Sequence, residues 1–296
     1  MHLKIINRMR ALSLLVFSTV YLFFCPTDLT WAAKSKTLDL DTTPNAKATT
    51  TSALDLHSGN SLHNGGFCYE ILAGNNNVGF ILETKAFNEK NGHHEHKLYT
   101  YLHNKTSSLE EQLNTTSDSY FSPISFQYKL SVDNKISKEL TGKFKKKDQN
   151  FSVDYTQNTP KNKAKKHTLS VPKGTVFLSR VTDLIFSQKK IEDLKPQQEL
   201  VVQVFDAKSG KLKSSKSRLD QNSDGIKLIH SVDGKNFSTE HTYHGHLLRS
   251  VDQRQNITLS KCKSVEPHIK TAETHSIYKT FFAQKEKEIL KSCCQL

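Results

Sequence analysis

FCYEILAGNNNVGFIL, residues 67–82, decides how the rest of the chain is read. Two apolar-rich runs flank an Asn-rich turn at Asn75-Asn76, and Asn tolerates the positive φ that tight hairpin turns require. The stretch therefore predicts a β-hairpin with Cys68 at the start of its first strand. A cysteine nucleophile needs a base to make the thiolate, and it typically sits at a strained turn or a helix N-terminus. No Gly-rich elbow follows Cys68. Cys68 reads as a staple.

Downstream the dominant period remains two, the signature of half-buried strands. Val78, Phe80, Leu82, Thr84 and Ala86 alternate with more polar positions, with Ile81 breaking the pattern. Leu98, Thr100 and Leu102 share one face and Tyr99 and Tyr101 the other, while Phe126, Tyr128 and Leu130 alternate with polar partners. Further strands are expected in KELTGKF, FSVDYT, ELVVQVFDA, GIKLIHSV, FSTEHTY and QNITLSKC, with turns at Asp133-Asn134, Ser209-Gly210, Asp224-Gly225 and Asp233-Gly234. No βαβ alternation occurs. The fold class is mainly β: an antiparallel curved sheet, half-barrel or spiral barrel. Phe80, Leu82, Phe126, Tyr128, Val202 and Val204 are the expected inward-facing residues.

Two segments have helical spacing instead. Phe177, Leu178, Val181, Leu184 and Ile185 predict a packing helix over about residues 176–188, placed to plug a barrel end. Ile277, Phe281, Phe282 and Ile289 predict a C-terminal helix over about residues 275–291.

The N-terminus has the layout of a secretory signal: Lys4, Arg8 and Arg10, then the apolar run ALSLLVFSTVYLFFC at 11–25, then small residues at Ala32 and Ala33. Cleavage after Ala32 removes residues 1–32. Residues 33–64, rich in Thr, Ser, Ala and Asn, lack the apolar surface to offset ordering entropy and read as a disordered tether. A β-rich domain is expected over 65–264 and a helical tail over 265–296. No second run is long and apolar enough to span a bilayer, so the chain reads as exported to a periplasm and not integral to the membrane.

The net charge of +13 across 296 residues favours anionic partners such as a lipid headgroup or acidic glycan of the envelope. KFKKK (143–147) and KNKAKK (161–166) are the densest basic runs, but neither is interleaved with aromatics as a base-stacking platform is, so nucleic acid is not expected.

After signal removal four cysteines remain, Cys68, Cys262, Cys293 and Cys294, an even number in an oxidising compartment and hence disulfide candidates. Cys68 opens the first strand and Cys262 ends the last, so a bridge between them closes the sheet; Cys68 with Cys293 or Cys294 is the alternative. His94 with His96, and His244 with His246, lie two apart and share a strand face, which makes them candidate metal ligands. No HExxH or paired CxxC supports them, and Asn91-Gly92 ahead of His93–His96 suggests an exposed turn. No GxSxG, P-loop or GxGxxG occurs, so no catalytic residue and no cofactor is assigned.

YEILAGNNNVGFILETKAF, and VPKGTVFLSRVTDLIF followed by LKPQQELVVQVFDAKSGKLKSS, resemble bacterial exported β-domains over about residues 65–262. These are the envelope-integrity β-spiral and LolA-like half-barrel proteins, and the N-terminal β-domain of bacterial transglutaminase-like proteins. Nothing after residue 262 is long enough for a transglutaminase catalytic domain. The resemblance implies a non-enzymatic periplasmic barrel that binds a lipid, peptide or glycan, or that supports the envelope by binding another envelope protein. It transfers no functional residue.

Overall fold

The computed structural model describes residues 65–147, 150–160, 162–187, 199–222, 225–241, 247–252 and 256–292. The expected signal (1–32), tether (33–64), Cys293, Cys294, His244 and His246 lie outside the described residues.

The opening hairpin forms as β1 (Gly65–Ala73) and β2 (Asn76–Asn88), with the turn one residue earlier than expected. Gly74 takes φ +61° there, a conformation a glycine adopts without a Cβ penalty. A meander of antiparallel strands follows: β3 (His93–His103), β4 (Ser108–Ser117), β5 (Pro123–Val132), β6 (Lys135–Lys147), β7 (Asn150–Thr159) and β8 (Asn162–Val171). The second arm comprises β9 (Val176–Phe177), β10 (Glu199–Asp206), β11 (Lys211–Asn222), β12 (Gly225–Val232), β13 (Lys235–His241), β14 (Leu247–Asp252) and β15 (Ile257–Lys261). Asp133-Asn134 and Asp233-Gly234 both sit at positive φ, the geometry of a tight hairpin loop whose twist matches the strands.

Among the described residues fifteen strands form one sheet, ordered β8 back to β1, then β15 back to β9. The two arms meet where β1 pairs with β15, Tyr69 opposite Lys261 and Ile71 opposite Leu259. Every pairing is antiparallel except β9 with β10. Among the described residues no ladder joins β8 to β9, so the sheet is open.

The edges overlap instead. Phe205 of β10 packs 5.1 Å from both Phe126 and Phe144, and Phe177 of β9 packs 5.6 Å from Phe144, so one face of the β9–β10 edge lies on the concave side of β5 and β6. Its other face, Val176 and Val204, packs with Leu184 and Ile185. A strand edge with both faces buried inside the far end of its own sheet makes the curved sheet a scroll, and it removes one exposed edge from aggregation.

The helical segment after β9 starts later than its spacing predicted. Residues 176–177 join the sheet, Leu178–Arg180 make one 3-10 turn, and only Val181–Ser187 is α-helix (α1). Pairing of Val176 and Phe177 with β10 claims backbone groups that a helix would otherwise use. At the C-terminus a helix α2 (Glu266–Glu273) comes first, and the single helix expected over 275–291 is two: α3 (Ser276–Phe281) and α4 (Gln284–Ser292). Phe282, between the last two, is extended at φ −100°, ψ 126° and buries its ring against Tyr278.

These C-terminal helices correct two inward assignments. Phe80 and Leu82 face outward, into a second core with Tyr99, Ile269, Tyr278 and Leu290. Ile81 faces the concave core with Tyr69 and Leu98. Gly79 through Thr84 are consequently all buried, which is why Ile81 broke the alternation. Phe126 and Tyr128 belong to the concave core, and Val202 and Val204 to the cluster around α1.

Candidate functional site

The interior between the two arms holds a cavity of about 190 Å³. Phe67 and Tyr69 of β1, Ile81 of β2, Leu98 of β3, Phe237 of β13 and Leu259 of β15 supply most of its apolar wall. Leu178, Ser179, Thr182 and Asp183 close it from the 3-10 turn and α1. The scroll brings these residues together from positions more than a hundred apart in sequence, because inward register on β1–β3 and on β13–β15 faces the same half-open space.

One end of the cavity is ionic. Glu83 and Lys85, two apart on β2, both point inward, and Lys85 Nζ lies 3.4 Å from Glu83 Oε1 and 2.9 Å from Asp183 Oδ1. His96 Nε2 lies 2.8 Å from the same Glu83 oxygen. Behind Asp183, Arg180 places Nη1 3.1 Å from Asp183 Oδ2 and its guanidinium carbon 5.2 Å over the Phe121 ring. His94 stacks on that ring at 4.5 Å and 9°; Phe121 itself sits at φ 63°, unusual for a residue with a side chain, in a turn where its N–H donates to Asp118 O.

Burial alone would neutralise these groups, but their mutual attraction wins. Desolvation pushes the Glu83 carboxyl up, yet Lys85 and the His96 hydrogen bond bring it down to about 2. Burial likewise raises Asp183, and the charges of Arg180 and Lys85 outweigh it to leave the carboxyl lowered. For Lys85 burial is outweighed by Asp183 and Glu83, so its ammonium is favoured. His96 goes the other way: burial dominates its Glu83 partner and holds the imidazole neutral. With His96 neutral, two cations and two carboxylates balance.

The far wall carries a chain of hydrogen-bonded polar groups: Ser217 Oγ to His230 Nδ1, His230 Nε2 to Thr239 Oγ1, and Thr239 Oγ1 to His241 Nε2, each 2.8 Å. Burial, with a smaller contribution from His241, pushes His230 down to about 3. Thr239 and His241 reach the cavity; Ser217 and His230 do not line it.

The sequence candidates fall elsewhere. His94 and His96 are not in an exposed turn but buried on the concave face of β3, because β3 begins at His93 itself. Sharing a face does not make them a ligand pair here: His96 is engaged by Glu83 and His94 by Phe121. Cys68 and Cys262 form a disulfide on the outer face, Cα–Cα 5.3 Å, beside the β1–β15 pairing. His268 of α2 places a ring nitrogen within 4.8 Å of both sulfurs, but the S–S bond leaves no thiolate for a metal. Sequence reasoning missed Glu83, Lys85, Arg180 and Asp183; an E-x-K within a strand otherwise buried on both faces was the available signal. Of the basic runs, Lys143, Lys145 and Lys146 are exposed, and Lys145 pairs with Asp154 at 2.6 Å.

No family model and no curated protein matches the sequence. Two solved structures show some likeness. A β-barrel-like protein of domain of unknown function DUF1849 from Brucella abortus is 14% identical, with TM-score 0.48 over 67% of this chain and 94% of that one. A DUF1089 family protein from Pseudomonas aeruginosa is 6% identical, with TM-score 0.33 over 56% of this chain and 87% of that one. The fold stands on its own strand order and register. Among the described residues no helix is long and apolar enough to cross a membrane.

Proposed function

We propose that this chain is an exported, non-enzymatic binding protein of the bacterial cell envelope that holds one small amphipathic molecule inside its scroll. The carrying observation is the half-open cavity of about 190 Å³, apolar along most of its wall and ionic at one end. An apolar cavity of roughly 150 Å³ takes a benzene-sized guest, whereas drug-sized ligands occupy about 300–1,000 Å³. The space suits a single short hydrocarbon chain with a polar head and would take only part of a peptide, a glycan or a two-chain lipid. That narrows lipid, peptide or glycan to the lipid-like class.

The polar groups around the cavity support binding over catalysis. A general base works best with a pKa near the operating pH. Glu83 and Asp183 on the cavity wall are engaged by Lys85, and His230, behind the wall beside Ser217, is held at about 3. A disulfide and the leader-like N-terminus support export, and the Lys-rich outer strand face supports contact with an anionic envelope surface.

Native mass spectrometry of the protein purified from its own source without reductant tests the reading. A stoichiometric small-molecule adduct is expected, and Leu247→Trp, which fills the cavity from its half-buried rim, is expected to remove it. A bare chain under gentle ionisation, or an adduct indifferent to Leu247→Trp, would refute it.

A further inference from the structure

Away from the cavity, the outer face of the scroll gathers a second set of reactive side chains where its two arms meet. Cys68 of β1 and Cys262, the residue after β15, are bridged across the join, and Cys262 N–H donates to Cys68 O at 2.9 Å. His268 of α2 lies over them, and its ring nitrogen and the two sulfurs all fall within 4.8 Å of one another. A strand from one arm, the end of the other arm and a helix thus converge on one point. The two cysteines are 194 residues apart in sequence, so no short motif announces the cluster.

While the bridge stands, its sulfurs offer no thiolate. Reduction changes the donor set. A dithiol passes two electrons to the bridge and is itself oxidised to a disulfide, which leaves Cys68 and Cys262 as thiols. Two sulfurs and one imidazole nitrogen suit Zn2+ and not Mg2+ or Ca2+, which want oxygen ligands. Tetrahedral zinc, with Zn–S of about 2.3 Å and Zn–N of about 2.0 Å, keeps its donors roughly 3.5 Å apart, close to the spacing already present. The surroundings fit as well. Glu70, two residues after Cys68 on the same face of β1, places Oε1 3.5 Å from His268 Nε2. A carboxylate beside a ligand histidine orients the ring and raises its basicity. Phe80 packs its ring 4.8 Å from the same imidazole. The cysteines are 1% and 4% exposed, but the side chains of His268 and Glu70 are 16% and 33% exposed, so an ion reaches the cluster from their side.

From this convergence we infer that the reduced chain binds one Zn2+ through Cys68, Cys262 and His268, with water in the fourth place and Glu70 supporting the histidine. Each thiol releases one proton to solvent as its Zn–S bond forms. The ion ties β1, the end of β15 and α2 together at the join that the disulfide closes in the oxidised chain. One pair of cysteines therefore holds the two arms together in either redox state, by a covalent bond in one and by a coordinated ion in the other.

The test is titration with Co2+ of the full chain carrying Cys25→Ser, Cys293→Ser and Cys294→Ser, so that Cys68 and Cys262 are its only cysteines. A phosphine reduces the bridge without competing for the metal. The reduced chain is expected to take up one Co2+ with thiolate-to-cobalt absorption in the near ultraviolet and the visible bands of a tetrahedral site, and to exchange it for Zn2+, which such sites hold more tightly. The oxidised chain is expected to show neither absorption. His268→Phe keeps a ring against Phe80 and removes the ligand, so it should fold and yet weaken Co2+ about hundred-fold or more, beyond the loss of an outer partner. Glu70→Gln should weaken it about ten-fold. A reduced chain without the thiolate absorption, an oxidised chain with the same spectrum, or His268→Phe binding as tightly as its parent overturns the inference.

Discussion

Replacing both members of the Cys68–Cys262 disulfide by alanine tests how the scroll is held shut. The bridge spans a sequence separation of 194 residues, nearly the whole of the β-rich region. Cross-linking so long a loop removes about 18 cal/mol/K of chain entropy from the unfolded ensemble, or roughly 5 kcal/mol at 25 °C. That is a large share of a domain's usual margin of about 5–15 kcal/mol. In the native state the loss is local. Cys262 N–H still donates to Cys68 O at 2.9 Å, β1 and β15 keep their ladder, and α2–α4 still cover the outer core. The double variant should therefore fold to the same secondary structure but unfold at lower denaturant. The assay is urea unfolding followed by circular dichroism, with peptide mapping of the wild type without reduction. The expected result is a loss of about 5 kcal/mol with a steeper transition, because the uncrosslinked chain exposes more surface when it unfolds. A double variant within about 1 kcal/mol of wild type, or Cys68 found joined to Cys293 or Cys294, would refute the reasoning.

Three further outcomes follow from particular contacts. His230 is held at about 3 in the fold against an ordinary value of 6.5. As pH falls below 6.5 the unfolded chain takes up this proton first, so stability should decline from there toward pH 3 by about 4 kcal/mol in all, and His230→Gln should flatten the slope of melting temperature against pH. Glu83, at about 2 in the fold against 4.5, has the carboxylate pattern: its contribution is complete above pH 4.5 and is lost as pH falls toward 2. Glu83→Gln should cost about 3 kcal/mol at neutral pH, measured by urea unfolding, and a cost near zero would mean that the ion cluster is not formed. A Cβ on Gly66 would lie 2.6 Å from the Ile289 carbonyl, a backbone atom of α4 that has no rotamer to yield. Gly66→Ala should therefore lift α4 at about 1–3 kcal/mol, seen as faster amide exchange over 284–292 with β5–β8 unchanged.

The hairpin, the antiparallel meander and most strand faces were legible in the sequence, because side chains alternate with period two wherever one face meets the core. Asp133-Asn134 and Asp233-Gly234 announced their turns through residues that tolerate positive φ. The cysteine pairing was legible as one of two readings, since Cys68 and Cys262 mark the first and last strands of a sheet that meets itself, and the structure joins these two. What the sequence determined alone is thus local: strand, turn and the order of elements. Alternation names two faces and does not say which is inside, so Phe80 and Leu82 were assigned to the wrong core until α2–α4 were seen covering them. Nor does it say that the β9–β10 edge rolls beneath β5 and β6, since that depends on accumulated twist across fifteen strands. The ionic end of the cavity lay furthest from view. Glu83 and Lys85 are separated from Arg180 and Asp183 by nearly a hundred residues, and each alone resembles an ordinary solvated charge. Only the tertiary fold withdraws them from water, and that withdrawal is what turns four common side chains into a site.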